Sequence, residues 1–232
     1  QPEAVHVLAH AINVVLKALG TIVELMPAPE SQGTVSISEL AGKLKAGEVD
    51  TLFIIGGNPA YNAPANAGWS EAQGKAKKVV RLGYYEDETF DAGCAWHLPM
   101  AHYLESWGDV RTGDGTWTPV QPLIRPLFEG LSELEVLARL SGGETDANKI
   151  VRTTHGGSEE AWKRALHDGF QKDTAAKPLA AELQDGVVDD AKEQVSDAPN
   201  LTAKNLEVVF AQDNSVGDGR WANNGWLQEL PD

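Results

Sequence analysis

The stretch that most limits the architecture of this chain is Thr51-Leu-Phe-Ile-Ile55, followed at once by Gly56-Gly57-Asn58-Pro59. An uninterrupted apolar run that stops on glycines is the pattern of a strand covered on both faces, as in a parallel sheet. Parallel neighbours need a crossover rather than a tight turn, so helices must separate the strands. The flanking sequence supplies them. Apolar residues at Val5, Leu8, Ile12, Val15, Leu16 and Leu19 predict an amphipathic helix over 3–19 that closes on Gly20. Thr21-Ile-Val-Glu-Leu25, ended by Pro27 and Pro29, reads as a short strand. Ser38 stands as the N-cap of a second helix with Leu40 and Leu44 on its inner side.

Beyond the glycines, residues 66–76 read as a helix with Trp69 inward, and Lys78-Val-Val-Arg-Leu82 as the next strand. Strand, helix, strand in that order favours right-handed crossovers in a mainly parallel sheet. Residues 131–140 form a helix capped by Ser132 and ended by Gly142-Gly143, and 159–168 another. The stretch 171–200 is acidic and Ala-rich, which predicts a surface excursion or linker. Leu206-Glu-Val-Val-Phe210 reads as a strand and 213–219 as a turn-rich loop leading to Trp221 and Trp226. The expected fold is therefore α/β, three-layer and doubly wound, over residues 1–150. A helical extension, an acidic linker and a Trp-rich segment follow over 151–232.

Composition narrows function. With 42% hydrophobic and 23% charged residues the chain is an ordinary folded one, neither disordered nor fibrous. Its net charge of −15 repels phosphate backbones and anionic lipid, which argues against nucleic-acid and membrane binding. A single cysteine, Cys94, makes no internal disulfide, four-thiolate cluster or cysteine zinc cage. No apolar run reaches the ~18 residues of a membrane span, and no secretory signal stands at the start. Gln1 is not an initiator methionine, and the chain stops directly after Trp226-Leu-Gln-Glu-Leu-Pro231, so an internal piece of a longer protein is expected.

Several groups carry chemistry. Gly56, Gly57, Asn58 and Pro59 sit at the carboxyl end of the best strand, where open α/β sheets bind ligands and glycines let backbone N–H groups approach a phosphate. The same residues also make an ordinary tight turn, and neither a G-x-G-x-x-G spacing nor a P-loop lysine accompanies them. His6 and His10 have metal-ligand spacing but no intervening Glu, and their ordinary reading is the polar or boundary face of an amphipathic helix. Cys94, His97 and His102 could pair a thiol with a base or hold a metal, against a plain buried cysteine. Asp87 and Glu88 are expected at the same sheet edge as the glycines, as acid, base or ribose-hydroxyl acceptor. Glu105, Asp109 and Asp114 add carboxylates. Seven tryptophans, several in Gly- and Pro-rich segments, point to surfaces covered by other protein.

Asp50-Thr-Leu-Phe-Ile-Ile-Gly-Gly-Asn-Pro59, Tyr84-Tyr-Glu-Asp-Glu-Thr89, Trp96-His-Leu-Pro99 and Tyr103-Leu-Glu-Ser-Trp-Gly108 follow in order, and Asp114-Gly115-Thr116 precedes Gln121-Pro122. In that order over 50–141 the chain resembles the molybdopterin oxidoreductase superfamily. Tyr103 to Asp109, Gln121-Pro-Leu-Ile124 and Arg220-Trp-Ala-Asn-Asn-Gly-Trp-Leu-Gln-Glu-Leu-Pro231 look most like the molybdopterin-oxidoreductase-like half of the iron–sulfur large subunit of bacterial alternative complex III, a quinol:cytochrome c oxidoreductase. The resemblance implies a periplasm-side piece of an electron-transfer subunit, contacting other domains of its parent and subunits of a membrane-associated complex. Iron–sulfur clusters would lie elsewhere in the parent. In catalytic relatives the turn at Gly56 to Pro59 cradles the pterin dinucleotide, and an Asn-x-Glu-Gly-Arg segment completes the site. Here that segment reads Arg111-Thr-Gly-Asp-Gly-Thr116, which implies a vestigial cradle, no cofactor and no catalytic residue in this piece. The alternatives are the cofactor-binding domain of an active molybdopterin oxidoreductase, or a free-standing nucleotide- or anion-binding module.

Overall fold

A computed structural model describes residues 2–28, 33–196 and 201–229. In chain order the elements are α1 (Glu3–Val15), α2 (Ile37–Lys45), β1 (Thr51–Ile55), α3 (Pro59–Asn62), a 3-10 turn (Ala65–Ala67), α4 (Trp69–Gln73), β2 (Lys78–Gly83), α5 (Glu88–Asp91) and β3 (Trp96–Pro99). There follow β4 (Gly108–Arg111), β5 (Trp117–Val120), α6 (Glu133–Ser141), α7 (Ala147–His155), α8 (Glu159–Asp168), α9 (Val187–Ser196) and α10 (Gly225–Gln228). They fall into two compact units, Met26–Lys177 and Gln1–Leu25 with Pro178–Asp232.

The larger unit is mixed α/β around a three-stranded parallel sheet in the order β1-β2-β3. Ile54, Arg81 and His97 form one row across it, and Phe53, Val80 and Trp96 the next. Alternation along each strand sends these rows to opposite faces. Leu52, Ile54 and Val79 pack beneath α2 and α4 with Leu44, Trp69 and Ala72, a core that accounts for the apolar run in β1. Opposite them Phe53 is 42% and Trp96 63% exposed, so this face is only partly covered. A β4–β5 hairpin builds a second small core with α7 and α8, where Trp117, Val151, Trp162 and Ala165 are buried. Each of those two helices starts on a side-chain cap: Asp146 accepts from Lys149 N–H at 3.2 Å and Ser158 from Ala161 N–H at 3.2 Å. Ser132 caps α6 in a reciprocal box with Glu135.

In the smaller unit α9 packs on α1, burying Ala191 and Ala4. Thus ten residues of the acidic stretch are helical. Five expectations shift. Helix α1 stops at Val15, because Lys17 takes a positive φ of 54° and breaks the ladder. Thr21–Leu25 is not a strand: the Ala18 carbonyl accepts from the N–H groups of Thr21, Ile22 and Val23, and only single bridges, Leu19 to Val23 and Leu25 to Leu179, form. The cap of α2 is Ser36, whose hydroxyl accepts from Glu39 N–H at 3.1 Å, not Ser38. The helix expected over 66–76 is split at Gly68, which adopts φ 57°. Leu206-Glu-Val-Val-Phe210 has strand composition but pairs with no strand among the described residues, and Phe210 is 95% exposed.

Candidate functional site

The loops leaving β1 and β2 meet at the carboxyl edge of the parallel sheet. Gly56 and Gly57 both turn the chain through positive φ, 62° and 64°, a conformation costly for any residue with a Cβ. A Cβ on Gly56 would also stand 3.2 Å from a Glu133 carboxylate oxygen, whereas Gly57 faces open space. Asn58 and Thr89 then lace the two loops together. The Thr89 hydroxyl donates to Asn58 Oδ1 at 2.6 Å and accepts from Ala60 N–H at 3.0 Å, while Asn58 Nδ2 donates to Glu88 at 2.7 Å. That last bond holds the Glu88 carboxyl below its ordinary range. Asp87 caps the short α5, accepting from the N–H groups of Thr89 and Phe90.

Beneath these loops lies Arg81, with only 3% of its side chain exposed. Its Nη2 donates to Asp87 Oδ2 at 2.5 Å and to the Gly57 carbonyl at 2.9 Å. Its Nε and Nη1 are buried and have no hydrogen-bond partner among the described residues. The guanidinium packs against Gly83, where a Cβ would come within 2.9 Å of Nε. Gly83 is therefore the residue that lets β2 carry a buried arginine along its own surface. Sequence reasoning read Arg81 only as part of a strand; a cation inside the otherwise apolar Val79-Val80-Arg81-Leu82 was the signal that it faces the interior.

Two adjoining cavities open at the same edge and share Tyr84 and Met100. One, of about 280 Å³, is lined by His97, Glu86, Glu105 and Phe128. The other, of about 470 Å³, is lined by Tyr103, Trp107, Asp109, Glu133, Leu134 and Leu137. Helix α6 reaches this place because Leu131 bridges Met100 at the end of β3, Ala101 N–H donating to the Leu131 carbonyl at 3.0 Å. The Tyr84 phenol is held above its ordinary pKa, chiefly by burial and then by the charges of Glu133 and Glu105.

The structure brings Gly56, Gly57, Asn58 and Pro59 to the same edge as Asp87 and Glu88, as their positions predict, through the bonds of Asn58 and Arg81. The other groupings are not assembled. Cys94 donates to the Thr89 carbonyl at 3.3 Å, and burial pushes its thiol up. His97 packs edge-on against Phe90 at 5.5 Å, and His102 lies between Tyr84 and Tyr103. Glu105 spends both oxygens on the N–H groups of His102 and Leu127. Asp109 accepts from Trp117 Nε1 at 2.7 Å, and Asp114 serves the β4–β5 turn. His6 is exposed and His10 half-buried on α1. Among the described residues no three His, Cys, Asp or Glu side chains gather in an arrangement for a metal, and no helix is long and apolar enough to cross a membrane.

A pterin dinucleotide would bring a diphosphate to the glycine turn. Beneath that turn the Arg81 guanidinium gives Nη2 to Asp87 and the Gly57 carbonyl and keeps Nε and Nη1 buried, its charge being offset by Asp87, and the nearest side chain over Gly56 is the carboxylate of Glu133. These residues do not fit an anionic diphosphate. Compared with known proteins, the chain matches no family model and no curated sequence.

Proposed function

We propose that this chain is part of an iron–sulfur, molybdopterin-oxidoreductase-like subunit of a respiratory electron-transfer complex, and acts there as a noncatalytic scaffold. In this reading it packs against other domains of its parent and against neighbouring subunits on the periplasmic side, while redox centres elsewhere carry the electrons. The three parallel strands belong to a larger three-layer, doubly wound sheet, and the turn at Gly56 to Pro59 is a vestige of a cofactor cradle.

The observation that carries the scaffold role is the partly bare sheet face. Parallel sheets are covered on both sides, yet Phe53 and Trp96 flank Val80 across the three strands and remain 42% and 63% exposed. A large aromatic pair on such a face is suited to burial under other protein. The internal neutralisation of Arg81 by Asp87 supports the vestigial reading of the turn. The family itself rests on the order of motifs over 50–141.

The test is elemental mass spectrometry and pterin fluorescence on the longest native protein that contains these residues. Iron without molybdenum, tungsten or pterin is expected. Molybdenum or tungsten with pterin would overturn the scaffold in favour of the cofactor-binding domain of an active oxidoreductase. Saturable binding of a nucleotide to the isolated chain, measured by calorimetry, would replace both with a nucleotide-binding module.

A further inference from the structure

The paired cavities at the carboxyl edge of the sheet form an open cleft whose charged lining is of one sign. Glu86 and Glu105 face the smaller, Asp109 and Glu133 the larger, and neither is lined by a lysine or arginine. A row of carboxylates alone is a solvated surface. Here the carboxylates stand beside the rings of Tyr84, Tyr103 and Trp107 in open cavities of about 280 and 470 Å³, at the lower end of the size range of small-ligand sites, with Glu86, Asp109, Glu133 and both tyrosines also facing solvent. Aromatic faces attract cations through their quadrupole, and the attraction grows when the cation leaves bulk water.

The carboxylates are not equivalent. Glu105 is fixed by two backbone N–H groups and Asp109 by the Trp117 indole, so both are held rather than free to swing away. Glu133, in the first turn of α6, has no ion-pair or hydrogen-bond partner among the described side chains and lies beside the Gly56 turn. Its charge and that of Glu105 both act on the Tyr84 phenol, which places the wall shared by the two cavities inside their field.

We propose that this cleft binds an organic cation, an ammonium or guanidinium group, with Glu133 as the counter-charge and Tyr84, Tyr103 and Trp107 as the aromatic wall. The apolar side chains of Met100, Leu134 and Leu137 suit the carbon skeleton that carries such a group. The group can come from a free organic cation or from a basic side chain of a neighbouring protein. The inference does not rest on the scaffold role, and the metal and pterin content of the parent leaves it untouched.

The experiment titrates the full 232-residue chain by calorimetry, with amide chemical shifts locating the site. The probes are choline, its neutral isostere 3,3-dimethylbutan-1-ol, N-acetyl-argininamide and inorganic pyrophosphate. At least one cation should saturate, with shifts at Tyr84, Tyr103 and Trp107, and the isostere should bind roughly fivefold more weakly. Choline binding more tightly identifies a free organic ion as the natural occupant; the arginine derivative binding more tightly identifies a basic side chain. Glu133→Gln should weaken the cation by a similar factor and leave the isostere unchanged. Tyr103→Leu, at a ring 60% exposed and so safe for folding, should weaken it too. The proposal is overturned if no cation saturates, if the isostere or pyrophosphate binds as well as the cations, or if Glu133→Gln changes nothing.

Discussion

Replacing Asp87 by Asn tests whether the two loops at the sheet edge are held by a buried charge. Asn preserves the cap of α5, since a side-chain oxygen still accepts from Thr89 and Phe90 N–H. It removes the only carboxylate bonded to Arg81 among the described residues and turns an amide toward Nη2, which donates there at 2.5 Å. Arg81 is 3% exposed and its Nε and Nη1 already lack partners, so water cannot replace the lost anion. Stranding one member of a buried pair costs about 3–5 kcal/mol. Arg81→Met should cost less, because Asp87 keeps 21% exposure and can hydrate. The double variant Arg81→Met/Asp87→Asn should recover at least half of the loss in Asp87→Asn, since an apolar replacement of both partners is often neutral. Urea unfolding at pH 7, followed by circular dichroism and by the shifts of Gly57 and Thr89, measures all three. A cost below about 1 kcal/mol for Asp87→Asn, the range of a surface pair, or a double variant no better than that single one, would refute the reasoning.

Three further outcomes follow from the same geometry. Of the four tyrosines, Tyr84 should ionise above the ordinary phenol range in an ultraviolet titration, and Glu133→Gln should bring its midpoint down; an unchanged midpoint would break the link between Glu133 and the cleft. Cys94, the single thiol, is half-buried and pushed up, so at pH 8 it should react with a disulfide reagent many-fold more slowly than free cysteine; full-speed labelling would contradict its hydrogen bond to Thr89. Asp114, hydrogen-bonded by Thr112 and Thr116, has its carboxyl lowered from 3.8 to about 2. Because the folded value lies below the unfolded one, the stabilisation is complete above 3.8 and disappears as the pH falls through about 2; an Asp114 midpoint near 3.8 by carboxyl NMR would show that the turn bonds do not persist.

Elements with a strong local signature were legible in the sequence. The apolar run of β1 marks a strand whose inner side is buried in the core, although its other face is only partly covered, and Ser132 announces α6 through a cap that depends on neighbouring residues alone. Thr21-Ile-Val-Glu-Leu25 and Leu206-Glu-Val-Val-Phe210 carry the same β-branched composition as β2, but a strand exists only where a partner presents its backbone. The end of α1 claims the first, and the second meets no strand among the described residues. The β4–β5 hairpin was missed for the converse reason: Pro119 sits within it and each strand is four residues long, so register comes from the Asp114 turn rather than from a repeating pattern. At the site, adjacent residues such as Asp87 and Glu88 could be placed from the strand they follow. Glu133 could not, because its approach to Gly56 is set by the Leu131–Met100 bridge.

The carboxyl edge of a parallel sheet is receptive to anions when glycine turns leave N–H groups unopposed and a cation stands free nearby. Here the glycine turn is intact, with both φ values positive, but the polar groups around it are spent on one another: Thr89 on Asn58, Asn58 on Glu88, Asp87 on the α5 cap, Arg81 on Asp87. Once those bonds are formed, the field in the adjoining cleft is set by Glu86, Glu105, Asp109 and Glu133, which no lysine or arginine of the lining balances. The same backbone that in a cofactor-binding sheet would cradle a diphosphate is thereby biased toward a cation, and the bias depends on keeping Arg81 paired with Asp87, because losing that carboxylate would leave the guanidinium charge unopposed beneath the turn.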